Sequence, residues 1–157
     1  MADARFEDGV EAPLYIGAEE PGDLAVMSAL VQDAVFPIGE MTFRRGKRQF
    51  ALLLNRFRWE DREAAQKVGR GFERVQAVLA VAGVLAVRTQ GIERNDKDTV
   101  LSLLALEWLP GADGAGRLTL VLAGDGAIAL DVEALEVTLK DVTRPYLAPS
   151  GKVPGHG

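Results

Sequence analysis

The sequence predicts an α+β domain: an antiparallel, strongly bent sheet of about seven strands, capped by a C-terminal helix and preceded by an N-terminal strand and helix. Three observations lead there. Apolar and polar residues alternate through most of residues 41–130, which is the period of half-buried strands. The links between those runs are short and rich in glycine (Arg45-Gly46, Ala82-Gly83, Gly124-Asp125-Gly126), and such links join only antiparallel neighbours. Helical spacing of apolar residues occurs before and after this stretch, not within it.

Residues 1–12 read as a loose tail, and Pro13 to Ala18 (PLYIGA) as a short strand. Leu24, Met27, Leu30, Val31 and Ala34 recur at three- and four-residue steps, so a helix starts near Pro21 and Asp23 and ends before Pro37. Strands are expected at Met41–Arg45, Gln49–Trp59, Glu73–Val81, Val84–Arg88, Thr99–Leu109, Arg117–Ala123 and Ala127–Leu130, with LPGADGAG (Leu109 to Gly116) as a longer proline and glycine loop. The last helix opens on Asp131 as N-cap and places Val132, Leu135, Leu139 and Val142 on one side. Arg144-Pro145 ends it, leaving residues 144–157 as a flexible tail and 13–143 as a single domain. The expected core is Leu24, Leu30, Phe50, Leu52, Leu54, Val78, Leu103, Leu118, Leu120, Ile128, Leu135 and Leu139, and either face of the 49–59 strand can be the buried one.

A chain of 157 residues with 48% hydrophobic and 26% charged residues suits one globular domain. Absence of cysteine excludes disulfides, thiolate metal sites and cysteine nucleophiles, and matches a reducing cytoplasm. The segment Val75–Val87, interrupted by Gln76 and Gly83, is too short to cross a bilayer, and MADARFEDGVEA lacks the apolar centre of a signal peptide, so a cytoplasmic protein without membrane insertion is expected. The single histidine, His156, lies in the tail, and Ser28, Ser102 and Ser150 are scattered, so no catalytic residue, metal ligand set or cofactor site is assigned. The glycine loops lack the Lys-Ser/Thr of a phosphate loop. Carboxylates such as Asp96, Asp98, Asp131 and Glu133 leave a carboxylate-based enzyme open as a third reading, since such pairs carry no local signature.

Charge is the most informative feature. The chain has a formal net charge of -5, yet Arg44 to Arg74 holds ten basic residues against four acids. Two candidate elements for an anion or partner lie in that segment. One is the turn RRGKR, with Arg44, Arg45, Lys47 and Arg48 crowding a hairpin tip, where charge either binds an acidic group or merely keeps the turn wet. The other is LLLNRFRWED. On a strand, Leu53, Asn55, Phe57 and Trp59 share one face, and Leu52, Leu54, Arg56 and Arg58 the other. The expectation is that Phe57 and Trp59 pack in or beside the core while Arg56 and Arg58 are solvated. The alternative is a stacking surface for single-stranded nucleic acid, with Trp59 exposed beside the arginines.

The element order, seven antiparallel strands and then a helix, resembles the pleckstrin-homology-like superfold, in which the loop between the first two strands carries basic residues that hold inositol phosphates. At sequence level, LVQDAV (Leu30 to Val35), NRFRWE (Asn55 to Glu60), GIERNDKDTVLSLLALEW (Gly91 to Trp108) and GAIALDVEALEVTLKDV (Gly126 to Val142) resemble a small bacterial family, domain-of-unknown-function family 2948, through about residues 13–143. That resemblance implies a single-domain protein and carries no activity, cofactor or catalytic residue with it. Three function classes follow: a non-catalytic module that binds another protein, a binder of a phosphate-bearing ligand (nucleic acid or lipid headgroup) through the basic patch, and a carboxylate enzyme or small-molecule binder.

Overall fold

The computed structural model describes residues 13–61, 73–93 and 95–147. Eleven strands occur in these segments: β1 (Tyr15–Ala18), β2 (Val35–Pro37), β3 (Met41–Arg44), β4 (Gln49–Phe57), β5 (Glu73–Val81), β6 (Val84–Gln90), β7 (Val100–Pro110), β8 (Gly116–Leu122), β9 (Ala127–Val132), β10 (Val137–Asp141) and β11 (Tyr146–Leu147). One α-helix, α1 (Pro21–Leu30), stands between β1 and β2. All pairings are antiparallel, in the order β1-β10-β5-β4-β2-β7-β8-β9-β6, with β3 added to β4 and β11 to β5.

The bend is made at two corners. At one, β5 passes into β6 through Ala82-Gly83 while β9, which pairs with β6, passes into β10, which pairs with β5. The two-stranded ribbon therefore turns from one half of the sheet into the other as a unit. Gly83 adopts φ +66° there, a left-handed conformation that a residue with a Cβ enters at a cost. The ribbon's hydrogen bonds continue through the turn, with Ala82 N–H donating to Glu136 O and Glu133 N–H to Gly83 O. At the other corner, short β2 bridges β4 at Val35–Asn55 and β7 at Val35–Ser102. The inward faces meet in one core that includes Phe50, Leu52, Leu54, Leu79, Leu103, Leu118, Leu120, Ile128, Leu130 and Leu139.

The cover for this sheet comes from the N-terminal side. Pro21 opens α1, where its missing N–H costs nothing, and Leu24 and Met27, three residues apart, turn inward. The helix ends at Leu30, and the chain becomes β2 rather than staying helical up to Pro37. Ahead of β2 the edge of β7 is satisfied by the helix and the link that follows it: Asp33 N–H donates to Leu103 O, Leu103 N–H to Ala34 O, and Leu106 N–H to Ser28 Oγ.

The expected C-terminal helix over residues 131–142 is absent. Asp131–Val132 finish β9, a turn follows, and Val137–Asp141 form β10 between β1 and β5. Leu135 and Leu139 are buried as expected, but Val142 is half exposed, so the helical stripe is not the buried set. VTLKD satisfies a two-residue period as well as the longer one, and a place between two strands gives every backbone group of the segment a ladder partner. With that helix gone, the plug on which the pleckstrin-homology comparison rested is gone as well. Val78 points outward and leaves the expected core, whereas Leu30 is only partly buried but packs against it. Tyr146 and Leu147, read from the sequence as tail, pair with Arg74 and Glu73 of β5. Among the described residues, no helix is long and apolar enough to cross a membrane.

Candidate functional site

Strand β4 carries the two sequence candidates at its opposite ends, roughly 25 Å apart at ~3.3 Å per residue. The structure does not bring them together. At the β3–β4 end, Arg44, Arg45, Lys47 and Arg48 are all exposed around a 3-10 turn. Arg48 closes the turn in a left-handed conformation, φ +51°, and forms an ion pair with Glu133 at the ribbon corner. Arg45 lies over the Phe43 ring at 5.6 Å. Arg44, Arg45 and Lys47 have no carboxylate within ion-pairing distance among the described residues. The cleft beneath them, lined by Thr42, Arg44, Gln49 and Ala51, is about 200 Å³, small for a drug-sized ligand at ~300 Å³ or more.

At the other end the expectation of solvated arginines fails. Arg56 has 0% exposure and Arg58 4%. Leu52, Leu54 and Arg56 follow one another on the inward face, so the guanidinium enters the interior where the next leucine would stand. Burial of a lone cation costs several kcal/mol, and the site contains what offsets it. Arg56 donates from Nε and Nη2 to both carboxylate oxygens of Asp141, each at 2.9 Å, and from Nη1 and Nη2 to those of Glu60 at 2.9 and 2.7 Å. Asp141 sits on β10, on the far side of β5 from β4; it pairs there with Ala77, while Arg56 pairs with Val75, so the guanidinium reaches diagonally over the strand between them. The same carboxylate accepts Leu14 N–H at 2.9 Å, which ties β1 into the group. Arg58 extends it, donating to Glu73 at 2.7 Å.

Electrostatics follow from this geometry. Burial opposes ionisation of Arg56, but hydrogen bonds and charge from Glu60 and Asp141 outweigh it and hold the guanidinium's pKa above its ordinary value. Glu60 is pulled the other way. Burial raises its carboxyl, and the Arg56 bonds and charge, with help from Arg58, bring it below the ordinary carboxylate range.

Trp59 is partly exposed, packs on Phe57 with centroids 4.7 Å apart, and donates from Nε1 to Gln32 O at 2.9 Å. Phe57 is fully buried. The aromatics thus face their own side of the strand, as alternation requires. Arg56 and Arg58 belong to a packed junction with β5 and β10, while Trp59 is held on the other side by Phe57 and Gln32, so the three do not share one open face. The sequence reading missed Asp141, Glu60 and Glu73 as their partners. A signal was available: Asp141 shares parity with Val137 and Leu139, as Arg56 does with Leu52 and Leu54, and opposite charges at inward positions of two strands invite pairing.

Two outward sheet faces complete the candidate surface. On β3, β4, β5, β10 and β1 the outward charged residues are Arg44, Arg74 and Lys140, with no carboxylate among the outward positions described. Arg74 donates to the Asn55 side chain at 3.3 Å, and Lys140 lies over the Tyr15 ring at 5.6 Å. The face of β7, β8, β9 and β6 differs. Its outward positions form three rows in register: Ala105, Val121, Ala127, Gln90; then Glu107, Thr119, Ala129, Arg88; then Leu109, Arg117, Asp131, Ala86. Arg117 and Arg88 both pair with Asp131, at 3.0 and 3.2 Å.

Of the carboxylates read as a third possibility, Asp131 is taken by these arginines and Glu133 by Arg48. Among the described residues no three Asp, Glu, His or Cys side chains gather closely enough to hold a metal ion. His156, Ser150 and most of the basic stretch Asp61 to Arg74 (residues 62–72) lie outside the described residues.

The sequence profile of a family described as "protein of unknown function (DUF2948)" matches residues 14–156. The chain belongs to that family. No curated protein and no solved structure matches it. Membership thus extends over both corners, the buried arginine junction and the hairpin tip, and assigns none of them a role.

Proposed function

We propose that this protein is a non-catalytic interaction module whose partner presents an acidic protein surface to the β3–β4 tip and the outward face beside it. One observation carries the reading: among the described residues, Arg44, Arg45 and Lys47 stand exposed without carboxylate partners, and the outward positions of the adjoining face add Lys140 and Arg74 and no acid. The remaining described cations of β4 are consumed internally, so a partner meets a localised positive field on an otherwise acidic chain. Charges of this kind act mainly on encounter rate and salt dependence.

The test is capture of partners from native extract by the wild type and by R44S/R45S/K47S, each with and without nuclease. The variant keeps Arg48 and its pair with Glu133, so its fold is expected to hold. Loss of a nuclease-resistant, salt-sensitive protein partner supports the proposal. A partner that vanishes with nuclease supports the phosphate-bearing ligand instead, and identical capture by both proteins leaves the tip as a solvated turn.

A further inference from the structure

We infer that the outward face of β7, β8, β9 and β6 is a self-association surface, occupied by a second copy of this chain about a two-fold axis that runs along the strands between β8 and β9. The centre of the face is small-chained, with Thr119 and Ala129 side by side, so two such sheets can approach at the ~10 Å of aligned packing.

The charges decide the occupant. Within one copy the balance is awkward: Arg88 and Arg117 share the single carboxylate of Asp131, while Glu107 has no ion pair among the described residues. Arg88, at 66% side-chain exposure, projects from one edge of the middle row, and Glu107 stands at the opposite edge. Rotation about an axis along the strands exchanges the two edges and keeps each row opposite itself. Glu107 then faces Arg88 of the second copy, Arg117 faces Asp131 of the second copy, and Thr119 faces Ala129 of the second copy. Each arginine acquires its own acid. An axis across the strands would instead set Glu107 against Glu107 and Arg88 against Arg88, so the pattern selects one orientation as well as one partner. A groove of about 640 Å³ lined by Glu107, Trp108, Leu109, Arg117 and Thr119 gives the facing edge room to seat. Three rows of four outward side chains make a small contact beside the ~800 Å² per partner of a standard stable complex, so a weak, reversible dimer is expected, in about the micromolar range.

The test is sedimentation velocity from about 1 to about 500 μM, a span set by the expected affinity. The wild type is expected to shift from monomer to dimer. R88E and E107R each turn two facing attractions into repulsions and weaken association by roughly 30-fold or more. Mixed in equal amounts, the two variants should dimerise as the wild type does, because one then offers acids at both positions and the other bases. E107R removes no ion pair among the described residues, so its behaviour is readable even where R88E loses structure. A wild type that stays monomeric, single variants that dimerise unchanged, or folded variants whose mixture stays monomeric would each overturn the inference, and the first would leave the face to a different protein.

Discussion

Replacing Arg56 with methionine removes a cation from a place that water does not reach. R56M keeps an unbranched stem that ends about where Nε stands and deletes four charge-assisted hydrogen bonds, two to Asp141 and two to Glu60. The two carboxylates respond differently. Glu60 is 32% exposed and can rehydrate, whereas the Asp141 side chain is 3% exposed and keeps only the Leu14 N–H. Breaking one partner out of a buried pair costs about 3–5 kcal/mol, a large part of the ~5–15 kcal/mol that holds a domain together. For a chain of this size the midpoint of thermal unfolding should fall by roughly 6–20 °C. R56M/D141L then discriminates the cause. With both charges replaced by apolar groups, most of the loss should return, short of about 1 kcal/mol for the unsatisfied Leu14 N–H. Urea unfolding of the four proteins of the cycle measures the coupling, expected at about 2 kcal/mol or more. An R56M protein within about 1 kcal/mol of wild type, or a double variant as unstable as the sum of its singles, would refute the account of the junction.

Glu60 supplies a pH test: its folded pKa lies below the ordinary 4.5, so its contribution is present above that value and lost as pH falls through the folded pKa. E60Q should therefore flatten the acid limb of a stability-against-pH curve below about pH 4.5, and an unchanged limb would contradict the assignment. Strand β10 is tested by a pair: L139A should cost about 2–5 kcal/mol and V142A less than about 0.5, since Leu139 is 0% and Val142 49% exposed, whereas a helix would make both costly. G116A should destabilise by about 1–3 kcal/mol in thermal unfolding, because a Cβ there would lie 2.5 Å from Leu109 O and 2.6 Å from the Trp108 ring.

Strands β3 to β9 were legible because each alternates and each is bounded by turn residues; the observed limits differ from the expected ones by a residue or two at most ends. The segment after Asp131 misled because Leu135 and Leu139 fit a helix and a turn-plus-strand alike, and only the presence of β1 and β5 on either side decides between them. Short β2 went unread for a related reason: three residues carry no period, and Val35–Pro37 is a strand by virtue of β4 and β7. The hairpin tip was readable from Arg45-Gly46 and its charges. Burial of Arg56 was not, since a strand's parity says which side chains share a face but not which face is inside. The decisive fact is Asp141, 85 positions away.

The link between Leu14 and Asp141 spans 127 positions of sequence. During synthesis the N-terminal strand therefore leaves the ribosome long before the segment it pairs with exists. Until Val137–Asp141 emerge, β1 has no neighbour in its register and the outer edge of β5 has no strand beside those positions. Arg56, already made, waits for its second acid. The growing chain consequently carries open strand edges and an incompletely compensated cation through most of translation, and the final closure comes as a late, long-range event of the slow kind. Ribosome-tethered chains ending before and after residue 141, each extended by a linker long enough to clear the exit tunnel, should bracket the onset of protease resistance.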